Sequence, residues 1–198
     1  MTDNTNNTIS YLVFSFKIFL ENRFKNAQEG DQTFITVDCT DCSIEEPHPF
    51  CHVYFSHKYR GPAYKYEVAV SICGGDIVWV SGPWPGAISD KEIFSFHLAK
   101  YLGDDEKAEA DNGYRNTDKA VTPEVAQTYQ RKKQKSQARG RQENFNGRFK
   151  VFDCLKTRYR HHDPHKHYLM FNSIAILVQL SQDHGERMYE IEMDGNYL

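Results

Sequence analysis

Three acidic residues stand where two strands and a helix could hold catalytic carboxylates together. Asp38 follows a β-branched and aromatic run at 33–37, and Asp111 follows a short run at 108–110. Glu143 belongs to a later segment with helical spacing. In open α/β sheets, catalytic groups gather at the carboxyl ends of strands, and hard divalent cations such as Mg²⁺ prefer carboxylate oxygens. A single acid at a strand end is more often a cap or a solvated group, but three in the order strand, strand, helix indicate a metal site.

A second feature is the basic segment at 131–166. It holds twelve Lys and Arg residues against three acidic residues, a net charge of +9. Because the whole chain carries −3, the remaining residues must carry −12. This uneven distribution favours a polyanionic partner for one face, and a solvated basic helix is the alternative.

The elements that would position these residues begin with strands. Side chains from Tyr64 to Ile72 alternate between apolar and polar, as in a half-buried strand. Gly74 and Gly75 suit a tight turn, so residues 76–80 should return as the partner strand. Together with residues 33–37, this predicts three antiparallel strands. The Gly- and Pro-rich residues 81–86 predict a loop.

Helices are predicted by spacing and by caps. Ser89 and Glu92 suit a capping box for a helix beginning near Asp90. Thr122 is a candidate cap for a long helical region, and residues 9–24 fit a short amphipathic helix. A nearly continuous apolar helix is expected over 168–180, and a short strand over 188–191. The helix after Ser89 is expected to bury Ile93, Phe94, Phe96, Leu98 and Leu102, and the helix around Glu143 to bury Phe145, Phe149, Phe152 and Leu155.

Composition and cysteine usage limit the class of protein. With 39% hydrophobic and 26% charged residues, the chain is globular. Its five cysteines are an odd number without the spacing of a secreted framework, which favours an intracellular compartment. The apolar stretches at 11–20 and 174–180 are too short to span a bilayer. A structural zinc site is a further hypothesis, because a CxxC pair has Cys and His nearby: Cys39, Cys42, His48, Cys51 and His52.

Four blocks in order carry a family resemblance, and together they extend from about residue 33 to residue 185. They are residues 37–41 (VDCTD), 81–90 (SGPWPGAISD), 110–114 (ADNGY) and 141–150 (RQENFNGRFK). The chain resembles DDE endonuclease domains, and most closely the transposases of the Harbinger type.

This resemblance implies an RNase H-like α/β fold, with a mixed sheet of about five strands and helices on both faces. It also implies that Asp38, Asp111 and Glu143 are catalytic and hold two Mg²⁺ or Mn²⁺ ions for DNA cleavage and strand transfer. Asp90 matches a recurrent acidic position of the family and is expected to be a structural residue beside the site. Residues 1–32 would be an N-terminal extension, 33–185 the endonuclease domain and 186–198 a tail.

DNA is the polyanionic partner that the resemblance implies, in the nucleus and without a membrane. Arg160 or His161 would contact phosphate near the catalytic helix. A separate DNA-binding subunit and a homo-oligomer are further expectations. The basic residues expected to contact nucleic acid are Arg131, Lys132, Lys133, Lys135, Arg139, Arg141 and Lys150.

Two departures from the family pattern leave alternatives open. Cys39 stands where the family usually has Gly, which makes Asp41 a rival for the first metal ligand. The family usually has a helix-turn-helix region before this domain, and about thirty residues precede it in the sequence. The second hypothesis is therefore a catalytically inactive, domesticated module that keeps the fold and binds DNA or protein.

Overall fold

The computed structural model describes residues 18–29, 31–122, 129–185 and 191. Most of the helix expected over 9–24 lies outside these ranges, and the described part contains a 3-10 helix at Leu20–Phe24. Residues 123–128, where the long helical region was expected to open, also lie outside. So does most of the strand expected over 188–191.

The centre of the molecule is a mixed sheet, with six strands in the described part of the chain. They are β1 (Thr33–Ser43), β2 (Phe55–Ser56), β3 (Gly61–Ser71), β4 (Ile77–Pro85), β5 (Lys107–Glu109) and β6 (Ala120–Val121). Strands β4, β3 and β1 are antiparallel, whereas β1, β5 and β6 are parallel, and β2 pairs with the start of β3. The predicted antiparallel opening is therefore confirmed.

The hairpin of β3 and β4 forms at the predicted turn. Gly75 has φ of +71°, a conformation that glycine adopts without steric cost. The prediction of a loop at 81–86 is wrong, because β4 continues to Pro85 and pairs with β3 as far as Tyr64. Prolines are tolerated there because β4 is an edge strand, so one side of its backbone has no ladder partner.

Helices cover the two faces of the sheet, as predicted. Within the described ranges they are α1 (Asp90–Phe96), α2 (Tyr129–Val151), α3 (Asp153–Lys156) and α4 (Pro164–Asp183). Helices α2 and α4 pack on one face, where Phe145, Phe149 and Phe171 are fully buried against β3. Helix α1 and the 3-10 turn that follows it pack on the other face.

Helix α1 begins at the predicted cap. Ser89 and Glu92 form the capping box, and Ile93, Phe94, Leu98 and Leu102 are buried as expected. Phe96 was expected in the core and is instead 64% exposed. The helix ends at this residue and the chain continues as a 3-10 turn, so the helical spacing that placed Phe96 on the buried face does not hold.

In the part of the chain that the structure describes, no helix combines the length and the apolar character needed to cross a membrane.

Candidate active site

The parallel ladder between β1 and β5 brings the first two predicted acids together. Its last pair joins Thr36 to Glu109. Asp38 and Asp111 each lie two residues further along their own segment, so both project from the same edge of this ladder. The prediction that Asp38 ends its strand is wrong, since β1 continues to Ser43 and pairs Asp38 with Val68 of β3. What ends near Asp38 is the pairing with β5.

A cavity of about 200 Å³ opens at this edge, and all three predicted acids line it. Asp38 comes from β1, Asp111 from the end of β5, and Glu143 from α2. Two cations, Lys58 and Arg139, line the same cavity. Among the residues that the structure describes, no three His, Cys, Asp or Glu side chains converge closely enough to hold an ion. The carboxylates therefore share a cavity without meeting at one point.

Asp38 is held by hydrogen bonds at both carboxylate oxygens. Oδ1 accepts a hydrogen bond from the backbone N of Cys39 at 2.8 Å, and Oδ2 accepts one from Nδ2 of Asn146 at 2.8 Å. Burial raises the pKa of Asp38 to about 6, and the nearby carboxylates of Asp111 and Asp90 add to this effect. An acid in such surroundings is stabilised in its ionised form by a bound cation.

Asp111 is fixed by the turn that follows β5. It caps the 3-10 helix Asn112–Tyr114, and its Oδ1 accepts a hydrogen bond from the backbone N of Gly113 at 2.8 Å. A Cβ atom at position 113 would lie 2.9 Å from the same oxygen, which is too close for a real side chain. Glycine therefore allows the backbone to approach the carboxylate of Asp111.

Glu143 is the most exposed of the three acids. It lies on α2, one turn after Arg139, and makes no hydrogen bond or ion pair to any residue that the structure describes. Its distance from Asp38 is therefore set by the position of the helix backbone.

Lys58 is a site residue that sequence reasoning missed. It lies in the turn between β2 and β3, and its side chain lines the cavity. Partial burial lowers the pKa of Lys58, but the carboxylates of Asp38, Asp90, Asp41 and Asp111 outweigh this effect and raise it. The signal available in the sequence is the basic turn at 57–60.

The two other acids considered for the site lie outside the cavity lining. Asp90 pairs with the buried Lys65, whose Nζ lies 2.7 Å from Oδ1 of Asp90, which fits the structural role predicted for Asp90. Asp41 projects from the face of β1 opposite to Asp38, because the two residues are three positions apart. Burial raises the pKa of Asp41, and its position leaves Asp38 as the acid that reaches the cavity.

Three of the seven basic residues predicted to contact DNA are engaged within the protein. Lys135 is 5% exposed and its Nζ lies 3.3 Å from Oε1 of Glu109. Arg141 is 2% exposed and donates to backbone carbonyls at the end of β3 and beyond it. Lys150 donates to the backbone carbonyl of Asp41. These three side chains stabilise the packing of α2.

The other residues predicted to contact DNA are exposed, or their side chains are not described. Lys132, Lys133 and Arg139 are exposed on α2, and nothing is described for the side chain of Arg131. Arg160 and His161 are exposed between α3 and α4 and do not line the cavity. DNA contact stays a prediction for the exposed residues on α2, of which Arg139 reaches the cavity.

The zinc hypothesis finds no support in the placement of the CxxC cysteines. Cys39 and Cys42 are three positions apart on β1, so they face opposite sides of the sheet. The Sγ of Cys39 lies 3.4 Å from the hydroxyl of Tyr114, and burial raises the pKa of the thiol. Cys39 sits in ordinary strand backbone, which requires no glycine.

Glu67 is a buried acid on β3, next to the site but outside the cavity. It is 0% exposed and accepts one hydrogen bond, from Nε1 of Trp79 at 3.0 Å. No described group bonds to its Oε1. Burial raises the pKa of Glu67 from 4.5 to about 8.

Glu67 should make folding stability depend on pH. The folded state retains a proton that the unfolded state releases above about pH 4.5, so the free energy of unfolding should fall as pH rises towards 8 and then level off. A pKa shift of this size corresponds to a change of about 3–5 kcal/mol in the free energy of unfolding. Glu67→Gln should remove that slope in urea unfolding measured between pH 5 and 9. Exposed Glu46→Gln is the control, and a slope that survives in Glu67→Gln would contradict the assignment.

The fold and the cavity together define a class of protein. A mixed sheet with an antiparallel β4–β3–β1 half, a parallel β1–β5–β6 half and helices on both faces is an RNase H-like α/β fold. Compared with known families, residues 37–179 match the family described as DDE superfamily endonuclease. This match covers most of the chain, and the protein belongs to that family. Neither the curated proteins nor the solved structures gave a significant match.

Proposed function

We propose that this protein is a divalent-metal-dependent endonuclease that cleaves DNA and carries out strand transfer. The observation that carries the proposal is the shared cavity of Asp38, Asp111 and Glu143. Membership of an endonuclease family supports the reaction class. The acids come from β1, from the end of β5 and from α2, so one cavity joins the two strands and the helix.

The donor set fits a hard divalent cation. All three acids offer carboxylate oxygens, the ligands that Mg²⁺ and Mn²⁺ prefer. Burial and neighbouring acids disfavour the ionised form of Asp38 in the absence of a cation. Asp38, Asp111 and Glu143 would hold two ions once their carboxylates, which share the cavity without meeting at one point, draw closer. When bound, such ions activate a water or a 3′-hydroxyl and stabilise charge on the leaving oxygen.

The cations that line the cavity suit a phosphodiester substrate. Lys58 reaches it from the β2–β3 turn, and Arg139 reaches it from α2. An Arg guanidinium can donate two hydrogen bonds to one phosphate, and a Lys ammonium acts as a compact point charge. These two residues would hold the DNA backbone across the mouth of the cavity and orient a phosphate towards the carboxylates.

A plasmid assay tests this function. The purified chain should convert supercoiled plasmid to the nicked form with Mg²⁺ or Mn²⁺, and excess EDTA should stop the reaction. Electrophoresis of the plasmid forms over time gives the rate. Salt-sensitive DNA binding without nicking under either metal would contradict the proposal and would favour the domesticated module that binds DNA without cleaving it.

Arg139→Ala should weaken DNA binding in a salt-dependent way. Each lost phosphate contact reduces the slope of log K against log salt concentration by about 0.9. Fluorescence anisotropy with a labelled duplex between 50 and 250 mM NaCl would measure this slope. The control is Lys25→Ala, since Lys25 pairs with Asp76 in the β3–β4 turn. An unchanged slope in Arg139→Ala would exclude a phosphate contact at this residue.

A further inference from the structure

Helix α2 is joined to β1 by a row of polar contacts, here called the polar seam. On α2 it consists of Gln142, Asn146 and Lys150, which are spaced four residues apart and therefore share one face of the helix. Their partners on β1 begin at Thr36 and Asp38, which share one face of the strand, and continue to residues 41 and 42.

Gln142 is bonded through both ends of its side-chain amide. Its side chain is buried, and its Oε1 accepts a hydrogen bond from Oγ1 of Thr36 at 2.8 Å. Its Nε2 donates to the backbone carbonyl of Val68 at 3.1 Å. Val68 is paired with Asp38 in the β1–β3 ladder. One amide therefore ties α2 to both strands at the level of the cavity.

Asn146 joins the seam to the candidate active site. Its Nδ2 donates to Oδ2 of Asp38 at 2.8 Å, and it follows Glu143 by three residues, which is about one helical turn. The hydrogen bond therefore links the helix that carries the third acid to the side chain of the first. At the end of the seam, the ammonium of Lys150 bonds to the backbone carbonyls of Asp41 and Leu155.

Apolar contacts alone would not fix the position of α2 along β1, and the buried cations of α2 described above tie the helix to the end of β3 and to β5 instead. Phe145 and Phe149 bury the helix against β3 and α4, but hydrophobic contact is non-directional. Sliding the helix by one residue, about 1.5 Å, would break the hydrogen bonds of Gln142 and Asn146 and leave enclosed polar groups unpaired. Glu143 has no described partner that would hold it independently.

We infer that Gln142 and Asn146 are positioning residues that fix α2 along β1, and so set the distance between Glu143 and Asp38. This inference rests on the proposed function for its effect on metal binding, whereas its effect on helix position stands by itself. Neither residue is assigned contact with the reacting atoms.

The experiment compares two seam variants with two controls on the same helix. The seam variants are Asn146→Ala and Gln142→Met. Asn144→Ala changes the same residue type at an exposed position, and Phe149→Leu weakens the core without touching the seam. Crystal structures of all four variants and the wild type give the Cα distance between residues 143 and 38. Isothermal titration with Mn²⁺ alone gives metal affinity, and thermal unfolding gives stability.

The seam variants should move residue 143 relative to residue 38 by about the rise of one residue, 1.5 Å. They should also weaken Mn²⁺ binding about 10–100-fold, as is typical when residues that orient metal ligands are changed. Phe149→Leu should lower the unfolding temperature but leave Mn²⁺ affinity within about twofold, and Asn144→Ala should change neither quantity.

An unmoved helix in both seam variants would overturn the inference. A moved helix with unchanged Mn²⁺ affinity, or an affinity loss in Phe149→Leu that matches its loss of stability, would overturn the effect on metal binding. A wild-type chain that binds no Mn²⁺ would contradict the proposed metal dependence instead. The distances between residues 143 and 38 would then decide the positioning role.

Discussion

Asp111→Asn should reduce plasmid nicking by about a thousandfold while leaving the fold intact. A bound divalent ion contributes several kcal/mol to the stabilisation of the transition state, and each 1.36 kcal/mol changes the rate about tenfold. Replacing the carboxylate by an amide removes a negative charge from the cavity that Asp111 shares with Asp38 and Glu143. Initial rates at saturating Mg²⁺ measure the effect.

This substitution separates chemistry from folding because Asn serves as a helix cap about as well as Asp. The amide oxygen of Asn can still accept the hydrogen bond that Gly113 donates to Asp111. Thermal unfolding should therefore change little. The matched control is Asp105→Asn, because Asp105 is exposed and lies outside the cavity. This variant should nick plasmid at the wild-type rate. Nicking that survives Asp111→Asn would remove Asp111 from the proposed mechanism.

Lys65→Met should lower the free energy of unfolding by about 3–5 kcal/mol, the usual cost of removing one partner from a buried ion pair. The ammonium of Lys65 lies 2.7 Å from Oδ1 of Asp90 and 2.8 Å from the carbonyl oxygen of Ile88. Without it, the carboxylate of Asp90 would lose the ammonium that lies against it in the folded protein. Chemical denaturation followed by tryptophan fluorescence would measure the change.

The control for this second substitution is an ion pair of the same residue types near the surface. The Nζ of Lys25 lies 3.3 Å from Oδ2 of Asp76, and the side chain of Lys25 is 59% exposed. Lys25→Met should cost less than about 1 kcal/mol, because water screens an exposed pair. Equal effects of the two substitutions would show that the pair of Lys65 and Asp90 is no more important than a surface contact.

Local features of the fold were predictable from the sequence. The capping box of Ser89 and Glu92 and the turn at Gly75 depend on residues a few positions apart, and both are present. The buried Phe145 and Phe149 follow from helical spacing. In each case the cause lies within one or two turns of chain, where pattern and structure are directly related.

Features that depend on distant contacts were predicted less well. β1 was expected to end at Asp38 because acidic and sulfur side chains follow the apolar run, but β3 pairs with it as far as Ser43. Polar side chains are accommodated on this strand because α2 supplies partners such as Gln142. Lys58 belongs to a basic turn in the sequence, but only the folded β2–β3 turn brings it to the cavity.

The basic segment illustrates the same difference. Net charge predicted a cationic surface, but it could not tell which cations point inwards. Arg141 is buried because backbone carbonyls accept its hydrogen bonds. Lys135 is buried because a backbone carbonyl accepts its hydrogen bond and Glu109 forms an ion pair with it. Such partners are separated from them by many residues in the sequence, so composition alone overstates the surface available to DNA.

The short parallel ladder of β1 and β5 affects when the cavity can form during synthesis. The strand that carries Asp38 leaves the ribosome before Asp111 and Glu143, which follow much later in the chain. Pairing between distant segments is entropically costly and forms late in folding. The cavity can therefore be completed only after α2 has emerged and docked, so an unfinished chain does not yet bring the three acids together.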